Sequence, residues 1–145
     1  MKVIKPLDNY IKNENDTVIF LAGSCSGSNK NWRNDVIKFL ENIENDKTLS
    51  LENLVIIDPF RKDWPKTEEA LQEQVNWEAM MAEQSDIFSC YFDKNKNSVS
   101  PMSLLEVGKY MMLLKSKFPS IKLNYRLIIS AHPDYELFNL LKFQM

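Results

Sequence analysis

Two glutamates draw attention, Glu106 because it is set in an apolar stretch and Glu78 because it sits at the inner edge of a helical apolar stripe. Glu106 lies within Ser103-Leu104-Leu105-Glu106-Val107-Gly108, and Glu78 closes the stretch Gln72-Glu73-Gln74-Val75-Asn76-Trp77-Glu78. A carboxylate in such surroundings costs free energy unless it is paired or used. Facing one cleft, the pair would supply the nucleophile and the proton donor that cleavage of a glycosidic bond requires. Each also has a plainer reading: an acid in the first turn of a helix complements the helix dipole, and a stretch rich in Gln, Glu and Asn is ordinarily a solvated face. Asp86, just ahead of Ile87-Phe88, reads foremost as a turn or cap residue.

The other candidates are weaker. Gly23-Ser24-Cys25-Ser26-Gly27-Ser28 is a small-residue turn able to offer backbone N–H groups to a phosphate, but no Gly-Lys-Ser/Thr follows it, so it is not a P-loop, nor is it the dinucleotide fingerprint. His132, followed by Pro133-Asp134, suits a turn better than a general base. Of Trp32, Trp64 and Trp77, only Trp64 sits in a loop where stacking on a base is expected. Met111-Met112-Leu113-Leu114 reads as core or subunit interface.

The elements that must position these residues follow from apolar runs and helical spacing. Residues 1–16 are polar and broken by Asp8-Asn9 and Asn13-Glu14-Asn15-Asp16, and are expected to be a loosely structured lead-in to a single domain over 17–145. Thr17–Ala22 is a short apolar run without alternation, the pattern of a strand covered on both faces, Leu54–Ile57 reads as a second buried strand, and Asp86–Phe92 and Leu127–Ser130 read as two further strands. Between them, Trp32, Val36, Phe39, Leu40 and Ile43 predict one amphipathic helix. Thr67, ahead of Glu68-Glu69, predicts the N-cap of a second, with Leu71, Val75, Glu78 or Ala79, and Ala82 on its inner stripe. A third runs from Met102 to Lys115 with Glu106 in its first turn, and Tyr135–Leu141 suggests a short terminal helix. Alternating strands and helices imply a Rossmann-like (flavodoxin-like) α/β fold, a single parallel sheet with helices on both faces. Ligands of such sheets bind beyond the carboxyl ends of the strands. Here those ends are the Gly23–Ser28 turn, the Asp58–Trp64 loop, the Asp93–Pro101 loop and the segment after Ser130.

Charge and composition exclude several classes of partner. With 18 basic against 20 acidic residues and no Lys/Arg run, the chain has no field to hold a nucleic-acid polymer. Cys25, Cys90 and the single histidine, His132, do not make a zinc-ligand set. No signal-like apolar core and no membrane-length apolar window is seen, so a cytoplasmic protein without membrane partners is expected.

The spaced motifs together resemble the nucleoside 2-deoxyribosyltransferase family, in particular its short deoxyribosyltransferase-like branch. The resemblance runs from Val18 to Leu141. It is carried by Phe20-Leu21-Ala22-Gly23-Ser24, Trp32, Asp58-Pro59-Phe60-Arg61-Lys62-Asp63-Trp64, Gln74-Val75-Asn76-Trp77-Glu78 and Ser85-Asp86-Ile87. Further along, Ser100-Pro101-Met102-Ser103-Leu104-Leu105-Glu106-Val107-Gly108, Pro133-Asp134-Tyr135 and Asn139-Leu140 extend it. The family's nucleophile is the glutamate of a Glu-Leu-Gly motif, and Glu106-Val107-Gly108 matches it. The family's proton-transfer acid, an aspartate in several members, falls on Glu78. Such a role requires a carboxyl that keeps its proton longer than a free one.

The resemblance implies a retaining N-glycosyl transferase or hydrolase acting on a nucleoside or nucleotide, with no metal or organic cofactor. A nucleotide-sequestering protein with little turnover is the rival expectation. Asn139 matches an asparagine that members lend to a neighbouring subunit, which implies a homo-oligomer with shared sites. The expected substrate-binding set is Gly23, Ser24, Arg61, Asp63, Trp64, Asp86, Ser100, Ser103 and Asn139, with Ser100 and Ser103 suited to a 5′-phosphate or sugar hydroxyl. Two departures stand out: Asn97–Ser103 lacks the Gly-rich, Asp-containing loop of classical members, and Ile19 replaces their first-strand aromatic residue.

Overall fold

The computed structural model describes residues 1–24, 31–63, 65–94 and 101–135, with the side chains of 101 and 102 left aside. The elements are β1 (Lys2–Ile4), β2 (Thr17–Gly23), α1 (Trp32–Asn45), β3 (Leu54–Ile57), α2 (Glu68–Gln84), β4 (Ile87–Phe92), α3 (Pro101–Lys117), a 3-10 turn (Leu123–Tyr125) and β5 (Leu127–Ala131). The strands form one five-stranded, all-parallel sheet in the order β1-β3-β2-β4-β5, the single flavodoxin-like α/β sheet anticipated from the sequence. The expected terminal helix at Tyr135–Leu141 falls largely outside the described residues.

Two compact units make up the chain: Met1–Phe20 with Trp32–Asp86, and Leu21–Asn31 with Ile87–Met145. In the first, β3 pairs in parallel with β1 on one side (Lys2 opposite Val55, Ile4 opposite Ile57) and with β2 on the other (Thr17 opposite Leu54, Phe20 opposite Ile57). Val55, Ile56 and Ile57 are buried in succession, as a strand covered on both faces demands, while in β2 Val18 and Phe20 are buried on either side of half-buried Ile19.

The segment 1–16 is not the loose lead-in expected from its polarity. It contributes β1, and Tyr10 is buried. Its backbone is fastened to α2: Trp77 Nε1 donates to the Asp8 carbonyl at 3.0 Å, Gln84 Nε2 donates to the Tyr10 carbonyl at 3.2 Å, and Lys12 N donates to Gln84 Oε1 at 2.7 Å. Side chains of a helix thus satisfy backbone groups that a polar sequence would otherwise leave to water.

Thr67 caps α2 as predicted, its hydroxyl accepting from Ala70 N at 3.2 Å. The buried stripe, however, is Gln74, Trp77, Met81 and Ala82, while the expected Leu71 and Val75 are exposed. On α1 the correction is similar: Arg33 and Ile37 point inward and Phe39 is exposed. In both helices a polar residue holds an interior position through specific partners, which a hydrophobicity pattern cannot register.

In the second unit β4 alternates, with Phe88, Cys90 and Phe92 buried, and pairs in parallel with β5 from Phe88–Leu127 to Phe92–Ala131. On α3, Ser103, Tyr110 and Leu114 are buried, and the Tyr110 ring stacks on Phe88 with centroids 4.1 Å apart.

Candidate functional site

The carboxyl end of β3 opens directly into a polar cluster. Asp58, wholly buried, accepts from Lys5 Nζ at 2.6 Å through Oδ2 and from Phe60 N at 3.0 Å through Oδ1, while Arg33 Nε lies 3.8 Å from Oδ1. The Asp58 N–H donates to the Ile4 carbonyl, extending the β1–β3 pairing by one residue. This carboxylate therefore fixes the turn through Pro59 and Phe60 in place.

The turn in turn receives α2. Gln74 Nε2 donates to the Pro59 carbonyl at 3.3 Å and to Glu78 Oε1 at 2.6 Å, and Arg61 Nη1 donates to Gln74 Oε1 at 3.4 Å. One helical turn separates Gln74 from Glu78, the spacing at which side chains on a helix meet. Glu78, half-buried, is thereby brought to the carboxyl end of β3 together with Arg61, where a parallel sheet places its ligands. Asp63 lies exposed in the same loop. Gln74, Asp58, Arg33 and Lys5 escaped the sequence reading as site-forming residues. For Gln74 the signal was present, a carboxamide four residues ahead of the candidate acid.

Within the second unit, Gly23 and Ser24 leave β2 beside β4. Gly23 has φ of +111°, and a Cβ there would sit 2.1 Å from the Tyr91 carbonyl oxygen, so only glycine fits. Ser24 N donates to that same carbonyl at 2.9 Å, and Ser24 Oγ, buried, accepts from Asp93 N at 3.2 Å. Ser24 thus ties the exit of β2 to the exit of β4.

Glu106 is the sixth residue of α3, which begins at Pro101 rather than Met102. It therefore stands in the second turn, and the first turn of α3 holds no acid. Stabilisation by the helix dipole fades beyond the first turn, so the plainer reading of Glu106 loses its main support. The residue is half-buried, one turn beyond buried Ser103. Glu78 belongs to the first unit and Glu106 to the second.

Asp86, expected among the substrate contacts, stands at the amino-terminal end of β2, buried, where it accepts from Val18 N at 2.9 Å, pairs with Lys12 Nζ, and donates its own N–H to the Val18 carbonyl. Those partners make it a fastener of backbone at the end of the sheet opposite to Pro59 and Glu78. Trp64, Ser100 and Asn139 lie outside the described residues.

A family profile described as nucleoside 2-deoxyribosyltransferase like matches residues 16–120, which is most of the chain. The chain belongs to this family. The match takes in Asp58, Arg61, Gln74, Glu78 and Glu106, whereas the two edge strands β1 and β5 of this nucleoside 2-deoxyribosyltransferase-like protein lie beyond it. Among curated proteins no match to the chain is found. Among the described residues, no helix is long and apolar enough to cross a membrane.

Proposed function

We propose that this protein cleaves or exchanges the N-glycosidic bond of a nucleoside or nucleotide through a glycosyl ester on Glu106. The observation that carries the reading is that one family match spans both acids, and Glu106-Val107-Gly108 resembles the Glu-Leu-Gly motif that holds the nucleophile in nucleoside 2-deoxyribosyltransferases. A carboxylate oxygen of Glu106 attacks C1′ of the sugar. The C1′–N bond breaks, its electron pair passes to the base nitrogen, and that base receives a proton from Glu78. Water or a second base then attacks C1′ from the face the first base left, Glu78 takes up the proton, and Glu106 is released. Two displacements at one carbon return the original configuration.

Arg61, Asp63, Trp64, Gly23, Ser24, Ser100 and Ser103 are the proposed substrate contacts, and Asn139 the residue offered to a neighbouring copy. The test is incubation with a panel of deoxynucleosides and their 5′-monophosphates, read by mass spectrometry, alongside Glu106→Ala. Free base is expected from the natural chain and none from the variant. Recovery of every compound intact, or undiminished base release by Glu106→Ala, rejects the mechanism.

A further inference from the structure

The hydrogen bonds around Gln74 determine more than its own position. A carbonyl oxygen only accepts and a guanidinium only donates, so Pro59 on one side and Arg61 on the other force the Gln74 amide into one orientation, with NH2 toward Pro59 and Glu78 and oxygen toward Arg61. Flipping the amide would set its NH2 against the Arg61 donor and its oxygen against the Pro59 carbonyl. Gln74 is itself 1% exposed, so no water takes over either contact at low cost.

The consequence falls on Glu78. Its Oε1 faces an N–H donor 2.6 Å away that can never accept a proton. In a protonated carboxyl the carbonyl oxygen is the stronger acceptor, so an N–H aimed at Oε1 favours Oε1 as carbonyl and Oε2 as hydroxyl. We propose that Gln74 is a positioning residue for proton transfer: clamped between Pro59 and Arg61, its amide assigns the transferable proton of Glu78 to Oε2. This rests on Glu78 being the acid of the proposed reaction, and it adds which oxygen delivers the proton and which residue decides it. Arg61 gains a second task beside any substrate contact, since it holds the amide the right way round.

The test exploits leaving groups that differ in their need for a proton. An N7-methylated guanine carries a positive charge while attached to the sugar and departs neutral without protonation, whereas guanine itself needs acid assistance. Gln74→Met and Gln74→Glu, with Glu78→Gln as comparator, are to be assayed on 2′-deoxyguanosine, its 5′-monophosphate and the N7-methylated form of each. Gln74→Glu keeps an acceptor for Arg61 and offers Glu78 no N–H, so it serves where Gln74→Met folds poorly. Both Gln74 variants are expected to lose about 10²-fold in kcat on the unmethylated compounds, the scale of a misplaced catalytic group, and no more than about threefold on the methylated ones, with KM moving little. An equal loss on both substrate types means a merely structural role and overturns the proposal, as does no loss at all. Discrimination by Glu78→Gln without discrimination by the Gln74 variants rejects Gln74 alone. Failure of Glu78→Gln to discriminate, or no cleavage of any of the four compounds by the natural chain, removes the acid assignment and this proposal with it.

Discussion

Nζ of Lys5 lies 2.6 Å from Oδ2 of Asp58, joining a segment outside the family match to the first residue beyond β3. Asp58 is fully buried while the Lys5 side chain is half exposed, so the pair sits where the sheet meets solvent. Its other oxygen holds the turn through Phe60 N, and that turn offers the Pro59 carbonyl to Gln74. A short edge strand thus reaches the proposed acid through four residues: Lys5, Asp58, Pro59 and Gln74.

Removing either partner of this pair is expected to destabilise the fold unequally. Asp58→Ala leaves Arg33, 1% exposed, and Lys5 without their carboxylate and the Phe60 N–H without its acceptor; a loss of about 3–5 kcal/mol is expected. Lys5→Met removes a half-exposed cation, for which about 1 kcal/mol is expected. Urea unfolding of both variants provides the comparison. Equal midpoints for the two would show that Asp58 is not the hub that its hydrogen bonds suggest.

Tyr10 sets an alkaline limit on stability. Burial, then the hydrogen bond to Asp16 and the charges of Asp16 and Asp86, raise its phenol above the ordinary value of 10.0. The unfolded chain therefore ionises this group first, and the folded state binds the extra proton. The stabilisation is complete below pH 10 and is lost as pH rises from there toward the raised folded value. Asp16 acts at the other end. The Asn13 backbone N–H and then the Tyr10 hydroxyl lower its carboxyl below 3.8, so its contribution is complete above that pH and is lost as pH falls through the lowered value. Tyr10→Phe is expected to flatten the fall in melting temperature above pH 10, and an unchanged alkaline profile would contradict the assignment.

The four longer strands are legible because each is a short run dominated by β-branched, aliphatic or aromatic residues. It missed β1 because three residues, one of them Lys2, are too few to show a period; pairing with β3 makes that strand, and pairing is not a local property. The inward positions of Arg33 and Gln74 are hidden for a different reason. A pattern of apolar residues passes over Arg33, sets Gln74 on a solvated face and turns Phe39, Leu71 and Val75 inward, whereas the partners that hold the two polar residues, Asp58, Pro59 and Glu78, come from elsewhere in the chain or one helical turn away. The helix that carries Glu106 is started one residue late, at Met102, because Pro101 reads as loop, although proline suits the first position of a helix. Both acids were legible as types. Gln74, which orients one of them, became visible only when the Pro59 carbonyl was placed.

Gly23→Ala is expected to be among the most damaging single changes outside the proposed chemistry. The new methyl group would meet backbone atoms of Tyr91, with the carbonyl oxygen at 2.1 Å, at a φ that L-residues rarely adopt. Backbone strain and overpacking together amount to at least about 3 kcal/mol. Because Ser24 N donates to that same carbonyl, the join between the exits of β2 and β4 loosens with it. Soluble yield and thermal melting measure the effect, and a variant that melts within a few degrees of the natural chain would mean that this close approach is not needed.

Asp86 provides a control that separates stability from substrate contact. Its carboxylate accepts from Val18 N and Lys12 at the amino-terminal end of β2, and hydrogen bonds to a charged group of this kind contribute about 1.5–3 kcal/mol. Asp86→Ala should therefore lower stability by about that amount, and Asp86→Asn by less, since an amide oxygen still accepts from Val18 N. Neither should alter KM for any deoxynucleoside found to be cleaved, because the partners of Asp86 stand at the amino-terminal end of β2 whereas Arg61 stands beyond the carboxyl end of β3. Arg61→Ala should do the reverse: the side chain is only half-buried and donates one long hydrogen bond, so stability changes little, while the loop beyond β3 loses one of its cations and the donor that orients Gln74. The decisive measurement is the pair of KM and unfolding free energy for both variants. A raised KM in Asp86→Asn with unchanged stability would return Asp86 to the substrate-binding set and move the proposed site away from the carboxyl ends of the strands.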